Sequence, residues 1–238
     1  MCGRYSLTSP LEAVRRLFDV TGGGNLAPRF NIAPTQGAAV VRLDPAAPSG
    51  RALDLLIWGL VPSWAKEAAI GSRLINARAE TVAEKPSFRA AFGRRRCLVP
   101  ADGFYEWQVA PGGKQPYRIT LSDGRPFAFA GLWEHWQGPD GAELESFTII
   151  TTEANPQLRP IHHRMPVILA ADAHARWLDH EDPGGLELLR PYAGEDLQVF
   201  AVSRRVNSPK HDDPECAAPV DDATTPVPTE PTAQGQLF

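Results

Sequence analysis

Nine short runs of aromatic and β-branched residues, set apart by Pro, Gly and Asp, leave this chain few choices other than a sheet-built fold. They span Ala38 to Leu43, Leu53 to Trp58, Cys97 to Val99, Phe104 to Val109, Tyr117 to Leu121, Phe127 to Trp133, Phe147 to Thr151, Val167 to Leu169 and Val199 to Val202. Branched and ring side chains pack well on a pleated surface, so runs of this length read as strands. Val109 and Tyr117 flank Pro111-Gly112-Gly113, a hairpin loop by composition. Ser9-Pro10 ahead of Leu11, Val14, Leu17 and Phe18 supplies an N-cap, a proline at the first helical position and an apolar stripe. Helical spacing returns at Ser87 to Arg94, Ala171 to Leu178 and Leu186 to Tyr192. Strands do not alternate with long helices. The pattern therefore predicts an α+β domain of mostly antiparallel sheets curled into a barrel-like or sandwich core, with a few flanking helices.

A chain of 238 residues with 43% hydrophobic content can bury one sizeable core. The expected domain covers residues 1–207. From Ser208 the composition turns to Pro, Thr, Asp and Ala, which predicts a flexible acidic tail over 208–238. No apolar run approaches the roughly 20 residues of a membrane helix, and Met1 to Pro10 lacks the apolar stretch of a signal peptide, so a cytoplasmic location is expected. Cys2, Cys97 and Cys216 are an odd number without a CxxC pair, which argues against a disulfide framework or a zinc site; no metal or other cofactor is expected. The net charge of −4 speaks against a nucleic-acid partner until its distribution is considered. Beyond Pro209, Lys210 stands against Asp212, Asp213, Glu215, Asp221, Asp222 and Glu230, so the preceding residues are slightly positive.

Cys2 is the residue with the most distinctive chemistry. A small side chain at position 2 generally permits removal of the initiator methionine, which would leave Cys2 as the terminal residue with a 1,2-aminothiol. An α-amine has a pKa of about 7.7 to 8.0, against about 10.4 for lysine, so a useful fraction is nucleophilic at neutral pH. It can condense with an aldehyde to an imine, and the thiol can then close a thiazolidine ring. The same pair could also act as a thiol nucleophile with its own amine as base. Cys2 alone does not decide between them.

Five segments add weight: Met1-Cys2-Gly3-Arg4-Tyr5, Asn31-Ile32-Ala33-Pro34, Leu74 to Thr81 (LINARAET), Asp102-Gly103-Phe104-Tyr105-Glu106-Trp107, and Ile161-His162-His163-Arg164-Met165-Pro166. In this order they resemble the SOS-response-associated peptidase family, also called abasic-site processing proteins. Trp58 to Pro62 and Ala201-Val202-Ser203 fit as well, so the resemblance covers about residues 2 to 207.

The resemblance implies that Cys2 bonds to the aldehyde of an abasic sugar in single-stranded DNA, that Asn76 holds the terminal residue, that Glu106 shuttles protons, and that His162 assists opening of the sugar ring. It places Arg4, Arg78 and Arg164 at phosphates and Pro34, Trp64 and Trp107 against bases. Each residue also has a plain structural reading. Asn76 could cap the segment after it, Glu106 could be an exposed strand residue, the arginines could be ion-paired, and Trp107 could be core. For the whole chain, the leading reading is an enzyme that crosslinks itself to abasic DNA, monomeric and at the nucleoid when bound, with lyase-type strand cleavage as a side activity. A thiol peptidase that removes its own Met1 and a non-catalytic binding module are the rivals.

Overall fold

The computed structural model describes residues 2–21, 26–111 and 113–220. In chain order the strands are β1 (Tyr5–Leu7), β2 (Arg29–Ile32), β3 (Gly37–Leu43), β4 (Arg51–Trp58), β5 (Asn76–Arg78), β6 (Arg96–Ala101), β7 (Gly103–Ala110), β8 (Gly113–Leu121), β9 (Phe127–Gln137), β10 (Glu143–Glu153), β11 (Arg164–Pro166), β12 (Ile168–Leu169) and β13 (Leu197–Ala201). The α-helices are α1 (Leu11–Phe18), α2 (Arg89–Arg94) and α3 (His174–Leu178).

Five strands close on themselves. β4, β3, β6, β9 and β10 are antiparallel neighbours in that order, and β10 returns to β4 through a parallel pairing of Ser146 with Ile57 and Phe147 with Trp58. The expected barrel is present, and its closing seam is the parallel exception to an otherwise antiparallel pattern. Where β4 leaves the seam, β5 replaces it, pairing Asn76 with Ile149. Gly59 makes that exit possible: its φ is +128°, and an added Cβ would lie 2.6 Å from the carbonyl oxygen of Gly71. A second antiparallel sheet, β13-β8-β7-β1-β2, packs beside the barrel. Phe104 of β7 and Tyr5 of β1 reach Phe129 of β9, with ring centroids 5.8 and 5.9 Å apart.

Asp102, between β6 and β7, fastens the start of the chain to this frame. Its buried carboxylate accepts from Ser6 Oγ at 2.7 Å, Ser9 N at 2.7 Å, Thr8 Oγ1 at 2.8 Å and the Thr8 amide, and Arg118 lies at 3.3 Å. Gly103 leaves room for that cluster, since a Cβ there would sit 2.7 Å from Arg118 Nε. Ser9 is consequently engaged by Asp102 and does not cap α1; Pro10 takes the N-cap position, without a side-chain bond.

Two further expectations need correction. The segment from Leu186 to Tyr192 is not an α-helix: a 3-10 turn covers Pro183–Leu188, and Pro191 lacks the amide that a continuing helix needs. The packed domain also does not stop at 207. Asp212 accepts the amides of Phe30 and Asn31 at 2.5 and 2.9 Å and pairs with Arg29. Asn31 Nδ2 donates to the carbonyls of Val206, Ser208 and His211. Cys216 is fully buried with Tyr105, Val202 and Val206 over the outer face of β7. Asp212, which composition counts as solvated, is here an acceptor for two strand amides, and the packed region extends through Val220. The remainder of the expected tail, 221–238, lies outside the described residues, as does Gly112 of the hairpin loop.

Candidate active site

The N-terminal segment enters the site as a continuation of β1. Cys2 is fully buried, and its carbonyl oxygen accepts a hydrogen bond of 2.8 Å from Asn76 Nδ2 at the start of β5. Asn76 is therefore not a helix cap; its amide bridges the seam strand to Cys2. Burial pushes the Cys2 thiol well above its ordinary pKa, and the negative charge of Glu106 pushes it further.

Glu106 follows Phe104 on the same face of β7, which turns toward the barrel. It is 4% exposed, so the open-strand reading does not describe it. Desolvation raises its pKa to about 7, opposed by the positive chain terminus. His162 lies in the connection between β10 and β11. Its Nδ1 lies 3.0 Å from the Arg164 amide and 3.2 Å from the Arg164 carbonyl, so the tautomer sets whether it accepts from the one or donates to the other. Burial and the chain terminus lower its pKa to about 4, leaving it neutral at physiological pH.

Arg4, Glu106, Trp107 and His162 line one open cleft of about 340 Å³, together with Lys114 and Asn207. Arg4 donates to the carbonyls of Gly3 and Asn207, and Trp107 Nε1 donates to Asn207 Oδ1 at 2.7 Å. The half-buried Trp107 thus faces the cleft and also packs on the cluster around Tyr105. Arg78 is exposed two residues beyond Asn76 on β5. Pro34 is half-buried beside Thr35, whose φ is +69°. Trp64, 58% exposed, borders a separate cleft of about 580 Å³ with Lys66, Ile70 and Arg73. Arg164 is the correction in this set. It is 9% exposed, with its guanidinium bound to both oxygens of Glu80 at 2.6 and 3.0 Å and to the Thr151 carbonyl at 2.6 Å, so the ion-pair reading describes it.

Lys114 and Asn207 were not anticipated. The hairpin register opposes Lys114 to Val109 and so carries it beside the Glu106 strand, which counting outward from Pro111-Gly112-Gly113 could have shown. Asn207 gives no sequence signal, because it sits where composition suggests the domain ends.

The SOS response associated peptidase (SRAP) family model matches residues 1–209. The chain belongs to this family. Among SRAP relatives, the abasic site processing protein YoqW of Bacillus subtilis is 44% identical over 222 residues, covering 90% of this chain and 98% of that one. The abasic site processing protein HMCES of Gallus gallus is 36% identical over 231 residues, covering 83% and 68%. A Bacteroides thetaiotaomicron protein of known crystal structure superposes with a TM-score of 0.82 at 26% identity, covering 92% of this chain and all of that one. For this SRAP chain, no helix among the described residues is long and apolar enough to cross a membrane.

Proposed function

We propose that this protein captures the ring-opened sugar of an abasic site in single-stranded DNA as a thiazolidine on Cys2, after Met1 is removed. The observation that carries this reading is the Asn76 bond to the Cys2 carbonyl, which holds Cys2 where the charge of Glu106 acts on its thiol. The names of the YoqW and HMCES relatives support abasic-site processing as its setting.

In the tautomer whose Nδ1–H donates to the Arg164 carbonyl, His162 Nε2 takes the proton of the C1 hydroxyl as water gives one to the ring oxygen, opening the ring to the aldehyde, and the imidazolium then returns its proton to the hydroxide left behind. The Cys2 amine adds to the aldehyde carbon. Glu106, titrating near 7, accepts a proton from the amine and returns one to the hydroxyl that leaves as water, giving the imine. The thiol then adds across C=N, sulfur to carbon and proton to nitrogen, so the adduct forms with net loss of one water. Arg4 and Arg78 supply charge for phosphates, and Pro34, Trp64 and Trp107 supply surfaces for bases. Strand cleavage by β-elimination from the imine is the side reaction when ring closure is blocked. The reaction takes place in the cytoplasm, at the nucleoid.

The test is to mix protein of verified Cys2 terminus with a single-stranded oligonucleotide holding one abasic site, then separate the products under denaturing conditions. A heat-resistant shifted band, lost in Cys2→Ala, is expected; an unchanged band in that variant contradicts the assignment.

The charge of Glu106 acts on both the Cys2 thiol and the chain terminus, which favours a second use of the site, hydrolytic removal of Met1. In cells with active methionine aminopeptidase, Met1 retained on Glu106→Gln would support it, and Met1 absent from that variant would contradict it.

A further inference from the structure

Glu106 and His162 arrive at the cleft from different parts of the fold, one on β7 and the other in the connection between β10 and β11. The chemistry proposed above needs both at one sugar, where a displacement of an ångström is costly. We infer that Gln108 is a positioning residue that sets the spacing between His162 and Glu106, an inference that rests on the thiazolidine reading.

Gln108 is two positions after Glu106 on β7 and so shares its face. Its Nε2 donates to the carbonyl of Pro160, two residues before His162, at 3.2 Å. Its Oε1 accepts from Tyr117 OH, also at 3.2 Å. Tyr117 stands directly across from Glu106 in the β7–β8 register and is 3% exposed, so the far end of the amide is anchored to a fixed ring. The amide therefore works in both directions, accepting from the sheet and donating to the histidine connection. Other bonds position that connection against different elements. Asn155 Nδ2 donates to Tyr192 O, Gln157 Nε2 donates to Leu197 O, and the Arg164 backbone sets the rotation of the imidazole. Gln108 ties it to the strand that carries Glu106.

A carboxylate at 108 would keep the size and the Tyr117 contact but could not donate to Pro160. Gln108→Glu at neutral pH is therefore the discriminating variant, with Gln108→Ala beside it. With Met1 removal verified, both are expected to slow single-turnover adduct formation about tenfold, while affinity for a strand bearing an unreactive tetrahydrofuran abasic analogue stays within about twofold. In a His162→Ala background, Gln108→Ala should cause no further slowing, because the group being positioned is gone. Independently of catalysis, an NMR titration of His162 should show its pKa rising from about 4 toward the ordinary value in Gln108→Ala, which adds no charge, as the connection loosens and water enters. Wild-type rates in both variants, equal slowing with and without His162, or an unmoved His162 titration would each overturn the inference. If the wild-type protein forms no adduct, the thiazolidine reading itself fails; adduct formation with a negative result at Gln108 removes only the positioning role.

Discussion

Asn76 Nδ2 donates to the carbonyl oxygen of Cys2 at 2.8 Å, joining the first strand of one sheet to the seam of the barrel across 74 positions of sequence. The bond goes to the backbone carbonyl of Cys2 and not to its thiol, which donates to the Arg4 carbonyl at 3.8 Å. Asn76→Ala should leave the fold intact and slow adduct formation by about tenfold to a hundredfold. Asn76→Asp should do no better, since a carboxylate cannot donate to that carbonyl. Single-turnover gels measure both; a wild-type rate in either variant contradicts the anchoring role.

Glu106 titrates near 7 inside the protein, against 4.5 for an ordinary glutamate. Adduct formation should rise with pH through about 7 as the carboxylate becomes the base, and Glu106→Gln should lose that inflection, leaving the one from the Cys2 amine. Stability should move in the opposite sense. The folded state holds the proton that the unfolded chain releases above about 4.5, so wild-type stability falls between about 4.5 and 7, by about 3 kcal/mol on this group's account. Glu106→Gln should therefore gain Tm relative to wild type at pH 8 but not at pH 4. Thermal melts at the two pH values check the sign.

Arg78 and Arg164 should separate in their effects although both lie in family motifs. Arg78→Ala should weaken binding to single-stranded DNA and reduce the salt slope of log K by about 0.7, with little change in Tm. Arg164→Met should cost about 2–3 kcal/mol of stability, because Arg164 is buried while its partner Glu80 is half exposed. Salt-dependent binding isotherms and melts on both variants test the division.

Asp102 makes no contact with the cleft, yet it fixes the strand that delivers Cys2. Asp102→Ala would leave the donors of Ser6, Thr8 and Ser9 without their acceptor and is expected to cost about 3 kcal/mol or more. Hydrogen exchange in β1 should rise together with the fall in Tm; protected β1 amides in that variant would contradict its role as the anchor.

The long strands were legible because runs such as Phe127 to Trp133 bury side chains on a pleated surface and look like it. The short strands that build the site were not. Tyr5–Leu7, Arg29–Ile32, Asn76–Arg78 and Arg164–Pro166 are too brief to show alternation, and each exists because a distant strand or acceptor pairs with it. Those segments nonetheless appear in the family motifs, so chemistry marked them where periodicity did not. Arg164 shows the limit of that marking, since a motif position says that a residue matters without saying whether it meets solvent. The ordered stretch through Val220 was hidden for a different reason: Asp212 and Cys216 look like tail by composition and become interior only when β2 and β7 supply their partners.

The most direct test of the central claim is the intact mass of the complex formed between Met1-free protein and an abasic single strand, with and without borohydride. The account predicts the mass of protein plus oligonucleotide less one water, unchanged by borohydride, because a closed thiazolidine leaves no C=N bond to reduce, and no such stable species from Cys2→Ala. An adduct that gains two hydrogens with borohydride and falls apart without it would be an open imine and would contradict capture by ring closure at Cys2.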